Sequence, residues 1–146
     1  MPADLQTLLH RALPDLPAGG ITIRPVGGGS INETFQLSTK DNVRRFCKFN
    51  YSAKYPALFE TEARGLGLLA RTGIFRIPLT LACTTLDERQ VLILEWITQG
   101  SPNARFWTGF GKQLASLHRV TSPHFGLDHD NYMGDLPTRA SGPPAW

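Results

Sequence analysis

Three consecutive glycines at residues 27–29 constrain the fold more than any other feature, because extended stretches flank them on both sides. Residues 21–26 and 33–39 have the composition of β-strands and lack the apolar spacing of a helix. A backbone without Cβ atoms can approach a ligand closely and direct successive N–H groups at an anion such as phosphate. The strand–glycine–strand order therefore favours a phosphate-covering loop, and a flexible hairpin turn is the alternative interpretation. It is not a Walker A loop, because no Gly-Lys-Ser or Gly-Lys-Thr follows the glycines.

The length, charge and composition of the chain argue against several classes of protein. The chain has 146 residues, a formal net charge of +3, 41% hydrophobic and 18% charged residues, which is ordinary for one globular domain. Its basic residues are scattered, so no nucleic-acid partner is expected. No stretch has the length of a membrane span and the first residues do not resemble a signal peptide, so we expect no membrane partner and a cytoplasmic location. Cys47 and Cys83 lack metal-ligand spacing and are expected to be reduced packing residues.

The spacing of apolar residues predicts an α+β chain. The predicted strands are residues 21–26, 33–39, 44–51, 77–85 and 90–97. The predicted helices are residues 3–13, residues 56–71, and a third that starts near Ser101 or Asn103 and runs to about residue 119. Proline and glycine are frequent from residue 121 onward, so we expect the rest of the chain to be loop.

This order of elements is typical of the small lobe of a protein-kinase-like fold. Such a lobe is a five-stranded antiparallel sheet with one helix inserted after the third strand. On this interpretation residues 1–94 form the small lobe and residues 95–100 form the hinge. Residues 101–146 then begin a helical large lobe, which is expected to be incomplete here.

A lysine in the third strand and a glutamate in the following helix are the candidate catalytic pair. Alternation along the strand puts Lys48 on the same face as Phe46, where an ammonium group can hold nucleotide phosphate oxygens. The alternative is an edge lysine with its charge in water. Glu62 is flanked by apolar helix positions, so it is a better candidate than Glu60 to turn toward Lys48. We therefore predict a Lys48–Glu62 ion pair, against the alternative that both glutamates are solvated.

The end of the last predicted strand is the candidate adenine-binding segment. An adenine ring needs a backbone acceptor and a backbone donor in an apolar slot. The carbonyl of Glu95 and the backbone of Ile97 can supply them, with Trp96 as part of the wall. A plain strand end is the alternative, and only the place of this segment in the element order favours the hinge.

Histidines and acidic residues near the end of the chain raise the question of a metal site. His124 precedes the run Asp-His-Asp-Asn at residues 128–131, but the spacing matches no zinc pattern. Such residues also form ordinary turns, so we expect a substrate-facing or structural loop and no metal ligands. His118 stands alone at a helix end, where we expect a structural role.

Five motifs together resemble the fructosamine kinase (ketosamine 3-kinase) family and, more distantly, aminoglycoside and choline kinases. The resemblance runs across nearly the whole chain. The first four motifs occur widely among kinase-like folds, and the fifth is specific to this family. The motifs are Gly28-Gly29-Ser30-Ile31-Asn32, Phe46-Cys47-Lys48-Phe49-Asn50, Phe59-Glu60-Thr61-Glu62-Ala63, Ile93-Leu94-Glu95-Trp96 and the stretch at residues 125–134.

The resemblance implies ATP-dependent phosphorylation of the 3-hydroxyl of ketosamines, leading to deglycation. The implied acceptors are fructosamine or ribulosamine adducts of small amines or of protein lysines. The implied cofactors are ATP and Mg²⁺, with the magnesium ligands expected beyond residue 146. On this basis Lys48 contacts phosphate and pairs with Glu62. The residues expected to bind nucleotide are Gly28, Gly29, Ser30, Ile31, Asn32, Lys48, Glu95, Trp96 and Ile97.

Two departures from the family pattern matter. Several family members carry a cysteine in the glycine loop where this chain has Ser30, so no disulfide switch is expected. The family's catalytic His-Gly-Asp and its later magnesium-binding Asp are absent from the sequence. We therefore expect these 146 residues to carry the nucleotide-binding half and to have little or no kinase activity alone. Two alternatives stay open: a kinase for an aminoglycoside or choline-like substrate, and a non-catalytic nucleotide-binding chain.

Overall fold

The computed structural model describes residues 3–17, 19–27, 31–124 and 126–140. The elements follow the predicted order, with a short hairpin added near the end. None of the helices within these ranges has the length and apolar character that crossing a membrane requires. The elements are α1 (Ala3–Ala12), β1 (Thr22–Pro25), β2 (Glu33–Ser38), β3 (Arg44–Tyr51), α2 (Leu58–Arg71), β4 (Thr80–Leu86), β5 (Arg89–Glu95), α3 (Phe106–Leu117), β6 (Asn131–Met133) and β7 (Leu136–Thr138).

Strands β1 to β5 form one antiparallel sheet in the order β1-β2-β3-β5-β4, and α2 lies between β3 and β4 along the chain. This confirms the predicted five-stranded sheet with one inserted helix. β3 is the middle strand, and Lys48 lies opposite Thr34 of β2 and Leu92 of β5. Lys48 is therefore not an edge residue, and its charge needs a partner within the fold.

Alternation of side chains gives the sheet two apolar faces, one covered by α1 and the other by α2. The core under α1 contains Leu5, Leu9, Leu16, Leu37, Cys47, Phe49, Val91 and Ile93. The core under α2 contains Tyr55, Leu58, Phe59, Leu92 and Leu94, with Phe46, Leu66 and Tyr132 packed against it. β5 contributes alternate residues to both cores, which confirms the expectation that its uninterrupted apolar run is buried on both faces.

Two helices begin a few residues later than predicted. α2 begins at Leu58 and not at Pro56, because Ala57 has a left-handed backbone (φ 54°). α3 begins at Phe106, one residue after the N–H of Arg105 donates to the side chain of Asn103. Local turn chemistry, which the apolar pattern does not register, therefore sets where these helices begin.

The expectation of loop from residue 121 onward was wrong for one short hairpin. β6 pairs with β7, with Asn131 opposite Thr138 and Met133 opposite Leu136. The turn between them contains Gly134 with φ 65°, a backbone conformation that favours glycine. Strands this short show no readable alternation, and an isolated hairpin is marginal in water. The hairpin is stabilised by packing against α2.

Candidate functional site

The centre of the site is the ion pair between Lys48 of β3 and Glu62 of α2. Lys48 Nζ donates to Glu62 Oε1 at 2.6 Å, and the two side chains are 20% and 28% exposed. Glu60 instead faces β4, where its carboxylate accepts from the Thr85 hydroxyl. The structure thus brings Lys48 together with Glu62 and not with Glu60. Since both charges are largely withdrawn from water, loss of either partner would leave the other poorly compensated.

The ion pair borders a cleft that also contains the predicted adenine-binding segment. This cleft, which we call the first cleft, has a volume of about 410 Å³. Phe46 and Leu94, which lie opposite each other on β3 and β5, supply apolar wall next to Lys48. The first cleft is lined by Phe46, Lys48, Glu62, Leu66, Pro78, Leu94, Glu95, Trp96, Ile97 and Gln99. Cationic and apolar surfaces therefore meet in one space, as a nucleotide would require.

The side chain of Glu95 does not serve the first cleft as a free carboxylate. It accepts from Arg76 and from the Leu79 N–H, and the Arg76 hydrogen bond is the main reason that the pKa of Glu95 is lowered. Trp96 packs its ring against Phe46, with ring centroids 6.4 Å apart. Among the described residues, the N–H of Ile97 has no protein acceptor. This segment can therefore contact a ligand through its backbone groups and through the ring of Trp96.

Only the end of the glycine loop can be placed. Gly28, Gly29 and Ser30 lie outside the described residues. Ile31 and Asn32 are fastened to β3 by buried Asn50, whose Nδ2 donates to the Ile31 carbonyl at 3.1 Å and to Asn32 Oδ1 at 2.6 Å. These bonds hold the end of the glycine loop above the strand that carries Lys48. Nothing in the sequence points to this role of Asn50 beyond its place on the same strand face as Lys48.

The first turn of α2 is anchored by Gln90, a residue that sequence reasoning missed. α2 has no side-chain cap of its own. Gln90 of β5 is 1% exposed; its Nε2 donates to the Tyr55 carbonyl and its Oε1 accepts from the Phe59 N–H. It therefore satisfies one of the N–H groups that every helix start leaves unpaired. The available signal was a glutamine at the start of an apolar strand, where a buried polar side chain needs partners.

The β6–β7 hairpin holds the same helix end from outside the sheet. The Tyr132 hydroxyl donates to the Pro56 carbonyl at 2.9 Å, and its ring meets the ring of Tyr55 edge-on at 6.1 Å between centroids. Arg64 of α2 lies 3.7 Å from the Asp128 carboxylate. The family-specific motif at residues 125–134, apart from residue 125, which is not described, thus packs beside the helix that carries Glu62.

The structure gives no metal site to the histidines and acidic residues near the end of the chain. No group of three or more potential metal-ligating side chains occurs in the described part of the chain. Asp128 is instead hydrogen-bonded to the His129 ring, which is the main reason that its pKa is lowered. His118 ends α3, where its backbone N–H donates to the Leu114 carbonyl at 3.0 Å.

Both cysteines are free thiols placed for packing. Cys47 is buried in the core under α1, and burial raises its pKa. Burial, with smaller contributions from the charges of Glu60 and Glu62, raises the pKa of Cys83 to about 11. Both thiols are therefore protonated near neutral pH and poor nucleophiles.

The antiparallel sheet, the inserted helix and the ion pair between them define the small lobe of a protein-kinase-like fold. More specifically, the chain belongs to the fructosamine kinase family, whose family model matches residues 15–146. Two solved structures, both described as candidate fructosamine-3-kinases, share the fold. One from Haemophilus somnus 129PT has a TM-score of 0.77 at 24% identity and aligns with 94% of this chain and 46% of its own. The other, from Thermobifida fusca YX-ER1, has a TM-score of 0.68 at 25% identity, over 88% and 43%.

Curated relatives agree with this assignment. A protein of Enterococcus faecium named a probable ketoamine kinase is 34% identical over 143 residues, which are 98% of this chain and 47% of that relative. A chloroplastic protein-ribulosamine 3-kinase of Arabidopsis thaliana is 35% identical over 118 residues, 79% of this chain and 35% of the relative. The chain thus spans less than half the length of these relatives.

Replacing Gln90 tests the anchoring of α2. We expect Gln90→Leu to lower the free energy of unfolding by about 1–3 kcal/mol, because two buried backbone groups lose their partner. Urea denaturation measures the change. Gln113→Leu is the matched control, since Gln113 donates to the Ile74 carbonyl at the surface and water can replace it. We expect less than about 0.5 kcal/mol there, and equal losses in the two variants would contradict the anchoring role.

Proposed function

We propose that this chain is the nucleotide-binding half of a ketosamine kinase, with residues 1–94 as small lobe, 95–100 as hinge and 101–146 as the start of the large lobe. The observation that carries the proposal is the Lys48–Glu62 ion pair in the same cleft as the segment from Glu95 to Ile97. A cation, apolar walls and a free backbone N–H are the groups that phosphate and adenine need. Family membership supplies the acceptor class.

In the proposed reaction, a ketosamine hydroxyl oxygen bonds to the γ-phosphorus of ATP as the bond from that phosphorus to the β–γ bridging oxygen breaks. ADP leaves, and the hydroxyl proton passes to a base. Lys48 binds the phosphate oxygens as a compact cation, and Glu62 keeps the ammonium in place before nucleotide arrives. The glycine loop would cover the phosphates, and the backbone of Glu95 and Ile97, with Trp96 as a wall, would hold adenine.

Mg²⁺ is expected in such a reaction, but the described residues do not offer it a site. We propose the sugar 3-hydroxyl as the phosphorylated position and deglycation as the consequence. Small amines and protein lysines are the proposed carriers of the sugar, and the name of the Arabidopsis relative supports the protein-bound class. We propose a cytoplasmic location because ATP is plentiful there.

Lys48→Met tests the nucleotide site. We expect ATP binding to weaken about ten- to a hundredfold, because a charge-assisted contact to phosphate is lost. Isothermal titration calorimetry with ATP measures the affinity. Lys112→Met, on the exposed side of α3, removes an equal charge away from the cleft and should leave the affinity unchanged. Equal affinities of Lys48→Met and the unmodified chain would refute the proposed site.

A phosphorylation assay tests whether the chain binds ATP without catalysing phosphoryl transfer. We expect the 146 residues to bind ATP but to phosphorylate a fructosylated amine very slowly or not at all, because no His-Gly-Asp occurs in the sequence to orient the hydroxyl. Calorimetry on the same preparation shows that the site is folded. Turnover near about 1 per second, within the usual kinase range, would show that the chain needs no further catalytic part.

A further inference from the structure

A second cleft lies against the ion pair. It has a volume of about 370 Å³ and lies between the end of the glycine loop, α2 and the β6–β7 hairpin. Glu62 and Leu66 line both clefts, so the two spaces share one wall. Glu62, the ion-pair partner of Lys48, therefore faces the second cleft as well as the first. The segment proposed to hold adenine lines only the first cleft among the described residues.

Two asparagines bring amide groups to the second cleft from different elements. Asn32 comes from the glycine-loop end, and its Oδ1 accepts from Asn50. Asn131 comes from β6, and its Oδ1 accepts from the Tyr132 N–H at 2.8 Å. With both oxygens occupied, each side chain keeps an Nδ2 group that donates to no acceptor among the described residues. These hydrogen bonds therefore orient both side-chain amides and leave their Nδ2 groups available to donate to a ligand.

The rest of the lining is chemically mixed. Ile31, Leu69 and Tyr132 give apolar and aromatic surface, and Glu62 adds a carboxylate whose second oxygen is not used by Lys48. Amide donors, a carboxylate acceptor and an aromatic ring suit a sugar, which offers hydroxyl groups at its rim and C–H groups on its faces. A purely apolar ligand would leave the two amides unpaired, at a cost in binding.

We infer that the second cleft binds the sugar of the ketosamine acceptor, with Asn32 and Asn131 donating to its hydroxyl oxygens. This inference rests on the proposed kinase function. It gives a role to the hairpin motif, which the nucleotide site does not use. It also places the acceptor across Glu62 and Leu66 from the segment proposed to hold adenine.

The test is a nuclear magnetic resonance titration of the whole chain with fructosyl-lysine. We expect the side-chain amide signals of Asn32 and Asn131 to shift, whereas lysine without the sugar moves neither. Asn131→Asp keeps an oxygen that can accept from Tyr132, but it replaces the donor group with a second oxygen and adds a negative charge. The hairpin should therefore fold and fructosyl-lysine should bind about three- to tenfold more weakly. Asn131→Ala, which removes the donor without adding charge, should show a similar loss.

Asn42→Asp is the matched control, because Asn42 lies in the β2–β3 turn outside both clefts and should leave the affinity unchanged. If neither amide signal moves, if lysine alone moves them, or if Asn42→Asp weakens binding as much as Asn131→Asp, the acceptor assignment is overturned. ATP binding is measured on the same samples. Loss of sugar recognition with ATP binding intact overturns this inference alone, whereas a chain that binds no ATP overturns the proposed function and this inference with it.

Discussion

The ion pair between Lys48 and Glu62 is the constraint on which the rest of the structure depends. Lys48 lies on the middle strand of the sheet, with neighbours on both sides, so its ammonium cannot turn to an open edge. A carboxylate 2.6 Å away supplies the compensating charge. The pair forms only if α2 packs on this face of the sheet with Glu62 within reach of Lys48. Gln90 of β5 and Tyr132 of β6 both bond to the backbone at the start of α2 and so hold it in place over the sheet.

The two-faced sheet explains why this charge pair is tolerated. Cys47 and Phe49, the neighbours of Lys48 along β3, point into the core under α1, which contains no described charged side chain. Lys48 points to the other face, where the apolar core under α2 gives way to the first cleft. The pair therefore lies at the boundary between packed core and open space. Partial burial there strengthens the attraction between the two charges, and the cleft leaves the ammonium accessible to an anionic ligand.

Local pattern was enough to predict most of the sheet and the pairing of two distant residues. Period-two alternation placed Lys48 on one face of β3, and the apolar neighbours of Glu62 separated it from Glu60. The anchoring residues escaped prediction because their partners are far away in sequence: Gln90 bonds to Tyr55, and Tyr132 bonds to Pro56. The hairpin escaped because strands of three residues carry too few positions to show alternation.

We propose that the first cleft holds a nucleotide with its phosphates at Lys48 and its adenine at residues 95–97. A crystal structure of the chain with a non-hydrolysable ATP analogue tests this most directly. We expect phosphate oxygens within hydrogen-bond distance of Lys48 Nζ, with the Lys48–Glu62 pair intact. We also expect an adenine edge on the backbone of Glu95 and Ile97. An analogue bound elsewhere, or a first cleft that stays empty while the analogue binds in solution, would contradict it.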